Sequence, residues 1–140
     1  MTIARTSTAA HGLSRRWVWA VLAMATIAAG VLVRHTVGGA PGKVVGVALY
    51  GVMMTWLVLA VRPGLSTARA CVLALLLCWC IEGVQAAGIA AWINSRIPIA
   101  RWVLGEVFAW SDMVWYAAGV AAAGAVVLVA HQVLKIGPKP

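Results

Sequence analysis

The sequence predicts an all-α polytopic membrane protein: four transmembrane helices, with an interfacial or re-entrant segment between the third and fourth. Three observations carry this. The 140 residues are 64% hydrophobic and only 10% charged, whereas a soluble domain is nearer half apolar with about a quarter of its residues charged. The apolar residues gather into four runs, each near the ~20 residues that a spanning helix needs. Glycine and proline clusters fall between the runs.

The runs are Trp17–Val33, Val44–Val61, Ala70 to about Ala91, and about Met113 to Leu134. Helices are expected because lipid offers no partners to an open backbone. "GGAPG" at 38–42, "RPG" at 62–64 and "GPKP" at 137–140 punctuate them. The chain thus divides into a tail at 1–16, one membrane domain at 17–134 and a second tail at 135–140. "SRRWVW" before the first run faintly resembles a twin-arginine export signal. No A-x-A site follows, so the run reads as an anchor.

Charge sets the expected orientation. Arg5, Arg15, Arg16, Arg62, Arg69, Lys135 and Lys139 share one side. Arg34, Lys43, Arg96 and Arg101 lie on the other. Seven against four puts both termini in the cytoplasm. The net charge of +8 is spread between apolar runs, which favours topology and anionic lipid over nucleic acid as its explanation. Between the third and fourth runs, "WINSRIPIARWVLGEVFAWSD" is too polar to span. Trp92, Trp102 and Trp110 suit the headgroup layer, so this segment is expected along the outer interface.

Cys71, Cys78 and Cys80 sit in one apolar run and read as small buried hydrophobes, since Cys78 and Cys80 point roughly 200° apart on a helix. His11, His35 and His131 share no ligand spacing, and no phosphate-cradling glycine loop or serine–histidine pairing appears. No cofactor, metal or catalytic residue is expected.

The carboxylates are the exception in this chain. The three acids are Glu82, Glu106 and Asp112. On a helix from Ala70, Glu82 lies roughly 18 Å along, in the outer half of the bilayer. Leu75, Cys78, Glu82, Gln85 and Ile89 share a stripe. Gly83 and Ala87 beside it form a small-x-x-x-small pair suited to close helix contact. Asp112, Tyr116, Gly119 and Ala123 share a face of the fourth helix, and Asp112 favours the positive end of its dipole or serves in its N-cap. A polar seam of Arg34, Glu82, Gln85, Arg96, Asp112 and Tyr116 is the candidate ligand-binding site. Arg96 or Arg34 is the expected partner of Glu82.

Glu82, Gln85, Arg96, Leu104, Gly105, Phe108, Asp112, Tyr116 and Gly119 resemble an uncharacterised family of small bacterial membrane proteins. That family carries E-x-x-Q, an arginine further along, and L-G-x-x-F-x-x-x-D-x-x-x-Y-x-x-G. The resemblance covers residues 82–119 and extends weakly to "VR" at 33–34 and "GVALY" at 46–50. In the family an acid commonly follows the glycine of the last stretch, where this chain has Val47. The layout is more loosely similar to VanZ-like proteins, which implies envelope biology and no established activity.

The leading expectation is a non-enzymatic membrane protein whose outer polar seam binds an anionic envelope lipid or lipid-linked precursor. The alternatives are an enzyme acting on a lipid-linked substrate with Glu82 or Asp112 as acid–base, a small transporter or flippase, and an assembly partner of another membrane protein.

Overall fold

A computed structural model describes residues 4–105 and 107–136, with side chains described over 15–105 and 107–133. Among the described residues the chain is helical with no strand. The elements are α1 (Ala4–Thr36), α2 (Gly39–Val61), α3 (Thr67–Ala86), α4 (Ile89–Arg96), a 3₁₀ turn (Pro98–Ala100), α5 (Arg101–Leu104) and α6 (Trp110–Ile136). Four of them, α1, α2, α3 and α6, are long and apolar enough to cross a membrane. The protein is a multi-pass membrane protein. Glu106, one of its three acids, lies outside the described residues, as do Lys139 and the side chains of Arg5, His11 and Lys135.

The helix ends depart from the apolar runs for local reasons. α1 starts at Ala4, well before Trp17; residues 4–16 hold no proline and a single glycine, Gly12, so nothing in them breaks a helix outright. α2 absorbs most of "GGAPG": Pro41 sits in its first turn, where backbone N–H groups have no intrahelical acceptor to lose. α3 stops short of Ala91. Gly88 adopts φ 73°, a left-handed cap that ends α3 and turns the chain into α4. Ile89 therefore leaves the stripe of Glu82 and is exposed.

α2, α3 and α6 pack against one another, and α1 lies against α2. α3 buries Ala70, Ala74, Cys78 and Glu82, a stripe at a spacing of four. The expected close contact at Gly83 and Ala87 does not form. Both are exposed, and a Cβ on Gly83 would meet nothing within 4 Å. The tight crossing lies instead between α2 and α6. A Cβ on Gly119 would come within 1.9 Å of the Ala48 carbonyl oxygen, and one on Gly51 within 2.6 Å of the Tyr116 carbonyl oxygen. Two small residues let two backbones touch, so α6 cannot slide along α2.

Trp19 of α1 stacks on Trp56 of α2, with ring centroids 5.5 Å apart, beside Ala23, Leu59, Ala70, Ala123 and Val127. Elsewhere large apolar side chains point outward, among them Val21, Met24, Leu73, Val126 and Val129. In water such a surface would drive association. In lipid it is the solvated surface.

Candidate functional site

The chain reaches α6 through a break in helical structure. α5 ends at Leu104 and α6 begins at Trp110. The last carbonyls of one helix and the first N–H groups of the next have no intrahelical partner. Near a bilayer each orphan is costly, so irregular backbone persists only where protein supplies the partners. Four side chains supply them here. Tyr50 of α2 donates its hydroxyl to the Val103 carbonyl at 2.9 Å. Gln85 of α3 donates its amide to the Leu104 carbonyl. Asn94 of α4 donates to the Gly105 carbonyl at 2.8 Å. Glu82 of α3 accepts the Ala109 N–H at 3.3 Å through Oε2. Three carbonyls at the end of α5 and one N–H at the mouth of α6 are thereby satisfied.

Gly105 makes this arrangement possible. Its φ of 69° is left-handed, and a Cβ there would lie 2.5 Å from the Gln85 amide nitrogen. A side chain would strain the backbone and displace the donor that holds Leu104.

The expected ion pairs are redrawn. Glu82 is 1% exposed and meets a backbone N–H rather than Arg34 or Arg96. Arg96 stacks on Trp92, its guanidinium carbon 4.0 Å from the ring centroid, and remains exposed. Geometry explains the difference. Arg96 closes α4 beyond the Gly88 turn, while Glu82 points back into the bundle. The cation of Asp112 is Lys43, 3.1 Å away, because these residues open α2 and α6, the two helices that cross most tightly. Asp112 is 6% exposed and also accepts the Ser111 hydroxyl at 3.1 Å. It lies in the first turn of α6, where the helix dipole favours it. Tyr116, one turn further, is buried beside both carboxylates, and its ring lies 5.7 Å from that of Tyr50.

Of the six predicted site residues, Glu82, Gln85, Asp112 and Tyr116 gather around the α5–α6 break. Arg34 and Arg96 stand apart from it. Arg34 lines a separate cleft of about 220 Å³ with Val31, His35 and Trp102, between the end of α1 and α5. Tyr50, Asn94 and Lys43 were not singled out from the sequence as partners of the carboxylates. Asn94, a lone amide in "WINSR", carried a readable polar signal, while the role of Tyr50 depends wholly on α2 lying against α6. Cys78 is buried and Cys80 exposed, on different faces of α3. Among the described residues no three His, Cys, Asp or Glu side chains are grouped to hold a metal.

Residues 39–120 match a family described as proteins of unknown function (DUF2809). The match takes in Lys43, Tyr50, Glu82, Gln85, Asn94, Asp112 and Tyr116, and it leaves out Arg34. No curated protein and no solved structure matches the chain.

Proposed function

The chain belongs to the DUF2809 family, whose function is unknown, so its reading rests on its own surface: we propose that it is a non-enzymatic protein of a bacterial inner membrane, both termini cytoplasmic, that binds an anionic lipid headgroup or lipid-linked precursor in the outer leaflet. The carrying observation is the cleft of Arg34, His35 and Trp102. It offers a guanidinium and an imidazole for phosphate and an indole at the level where headgroups meet acyl chains. Arg34 has no ion-pair partner among the described residues, so its charge is free for a ligand. Arg96, exposed at the same end of the bundle, adds positive potential. The carboxylates take a supporting role in this reading. Glu82 and Gln85 secure the break beside α5, which carries Trp102, and Asp112 orients Lys43. Among the described residues the cleft lining contains no carboxylate, which favours binding over acid–base chemistry.

The test is native mass spectrometry of the delipidated protein, titrated separately with phosphatidylglycerol, phosphatidylcholine and a polyprenyl phosphate. The two anionic probes are expected to bind more tightly than phosphatidylcholine, and whichever binds better names the source. Losing one charge-assisted contact through Arg34→Ala should weaken that binding roughly 10-fold or more. Equal binding of all three probes, or no effect of Arg34→Ala, refutes the reading.

A further inference from the structure

The side of α1 that ends in the Arg34 cleft changes character along its length. Met24, Ile27, Val31 and Arg34 follow one another at spacings of three and four, and His35 lies four residues beyond Val31. All five therefore share one side of the helix. Met24, Ile27 and Val31 are exposed. Arg34 and His35 are exposed in the last turn, and Trp102 of α5 lines the same cleft. The side is apolar for two turns and basic at its end, which matches a lipid whose charge sits at the tip of its headgroup.

Side chains rather than helix ends set the charge of this cleft. α1 finishes at Thr36 and α2 begins at Gly39, so the negative end of one dipole lies beside the positive end of the other and the two largely offset. Arg34 and His35 make no side-chain hydrogen bond or ion pair among the described residues. Their donors then select the ligand. A guanidinium presents two parallel N–H groups to two oxygens, and an imidazole adds one N–H. Together they make three, the number of non-bridging oxygens on a phosphate monoester. A phosphodiester such as phosphatidylglycerol has two, which the guanidinium alone satisfies. Resting on the lipid-binding reading, we infer that the cleft takes a lipid ending in a phosphate monoester, with Arg34 as its anchor and His35 as the residue that tells monoester from diester. A monoester also carries about 1.5 to 2 negative charges at pH 7, so it gains from a second polar group where a diester does not. Phosphatidic acid and a polyprenyl phosphate share this chemistry. A tail-less phosphate ester has nothing to lie along Met24, Ile27 and Val31.

The experiment is native mass spectrometry of the delipidated full chain. The probes are phosphatidic acid, phosphatidylglycerol and phosphatidylcholine of identical acyl chains, cardiolipin with its two diester phosphates, a polyprenyl phosphate, and glycerol phosphate as a competitor. Phosphatidic acid is expected to bind about 10-fold more tightly than phosphatidylglycerol, the worth of one charge-assisted hydrogen bond. His35→Ala should erase that difference by weakening phosphatidic acid and leaving phosphatidylglycerol unchanged. His35→Gln, which keeps an N–H donor, should restore part of it. The tighter of phosphatidic acid and polyprenyl phosphate names the source. Equal binding of phosphatidic acid and phosphatidylglycerol to the wild-type protein overturns the inference and leaves the anionic-lipid reading standing. The same holds if cardiolipin outbinds phosphatidic acid, if glycerol phosphate displaces the lipid at equal concentration, or if His35→Ala weakens both lipids alike. Failure of every anionic lipid to outbind phosphatidylcholine removes the lipid-binding reading and this inference with it.

Discussion

Glu82 Oε2 accepts the main-chain N–H of Ala109, 27 residues further along the chain and 3.3 Å away. A side chain of α3 thereby caps the approach to α6. This contact answers the energetic problem of a carboxylate that is 1% exposed, because it satisfies a backbone group which would otherwise be orphaned near the lipid.

Removing the side chain should therefore cost more than removing its charge. Glu82→Ala leaves the part-buried Ala109 N–H without its acceptor, which costs about 1 kcal/mol or more. Glu82→Gln keeps an acceptor and should lose less. Amide hydrogen exchange at Ala109 gives the local readout, with protection falling in Glu82→Ala and largely kept in Glu82→Gln.

Two glycines should respond in opposite ways to the same methyl group. Gly119→Ala drives a Cβ into the Ala48 carbonyl oxygen at 1.9 Å, and the helices must separate. A cost of about 1–3 kcal/mol or more is expected for such overpacking. Gly83→Ala meets nothing within 4 Å inside α3, so it should be neutral or stabilising by up to about 1 kcal/mol. Unfolding curves of the two variants side by side test the α2–α6 crossing against the α3 face.

The Lys43–Asp112 pair should show the asymmetry of a half-buried ion pair. Lys43 is 55% exposed at its side chain and Asp112 only 9%. Lys43→Met alone strands a buried carboxylate, at a cost that lies between surface and fully buried pairs, about 1–3 kcal/mol. Lys43→Met combined with Asp112→Asn should recover much of that loss. A double-mutant cycle on unfolding midpoints measures the coupling, and strictly additive losses would show that the two side chains act separately.

Topology is open to direct labelling. In a background with Cys71, Cys78 and Cys80 replaced by alanine, a membrane-impermeant maleimide added outside should reach Ser95→Cys, between the third and fourth spans. It should not reach Ser66→Cys, in the link between α2 and α3. The opposite pattern would invert the orientation read from the basic residues.

The sequence by itself determined the helical class and the four spans. In lipid the backbone must satisfy its own hydrogen bonds, so a run of about 20 apolar residues has only one practical structure. It also placed Glu82 on a buried stripe and Asp112, Tyr116 and Gly119 on a buried face, because a period of 3.6 residues follows from helix geometry alone. The partners were decided by tertiary structure. Arginine was the natural guess for Glu82, yet Gly88 turns Arg96 away and the mouth of α6 supplies Ala109 instead. Lys43 finds Asp112 because Gly51 and Gly119 bring α2 and α6 into backbone contact. Gly83 and Ala87 had the same small-residue spacing and no neighbour to meet. Helix period is a local property of the chain, whereas the choice among possible helix–helix contacts depends on how whole surfaces fit together, and no stretch of sequence carries that by itself.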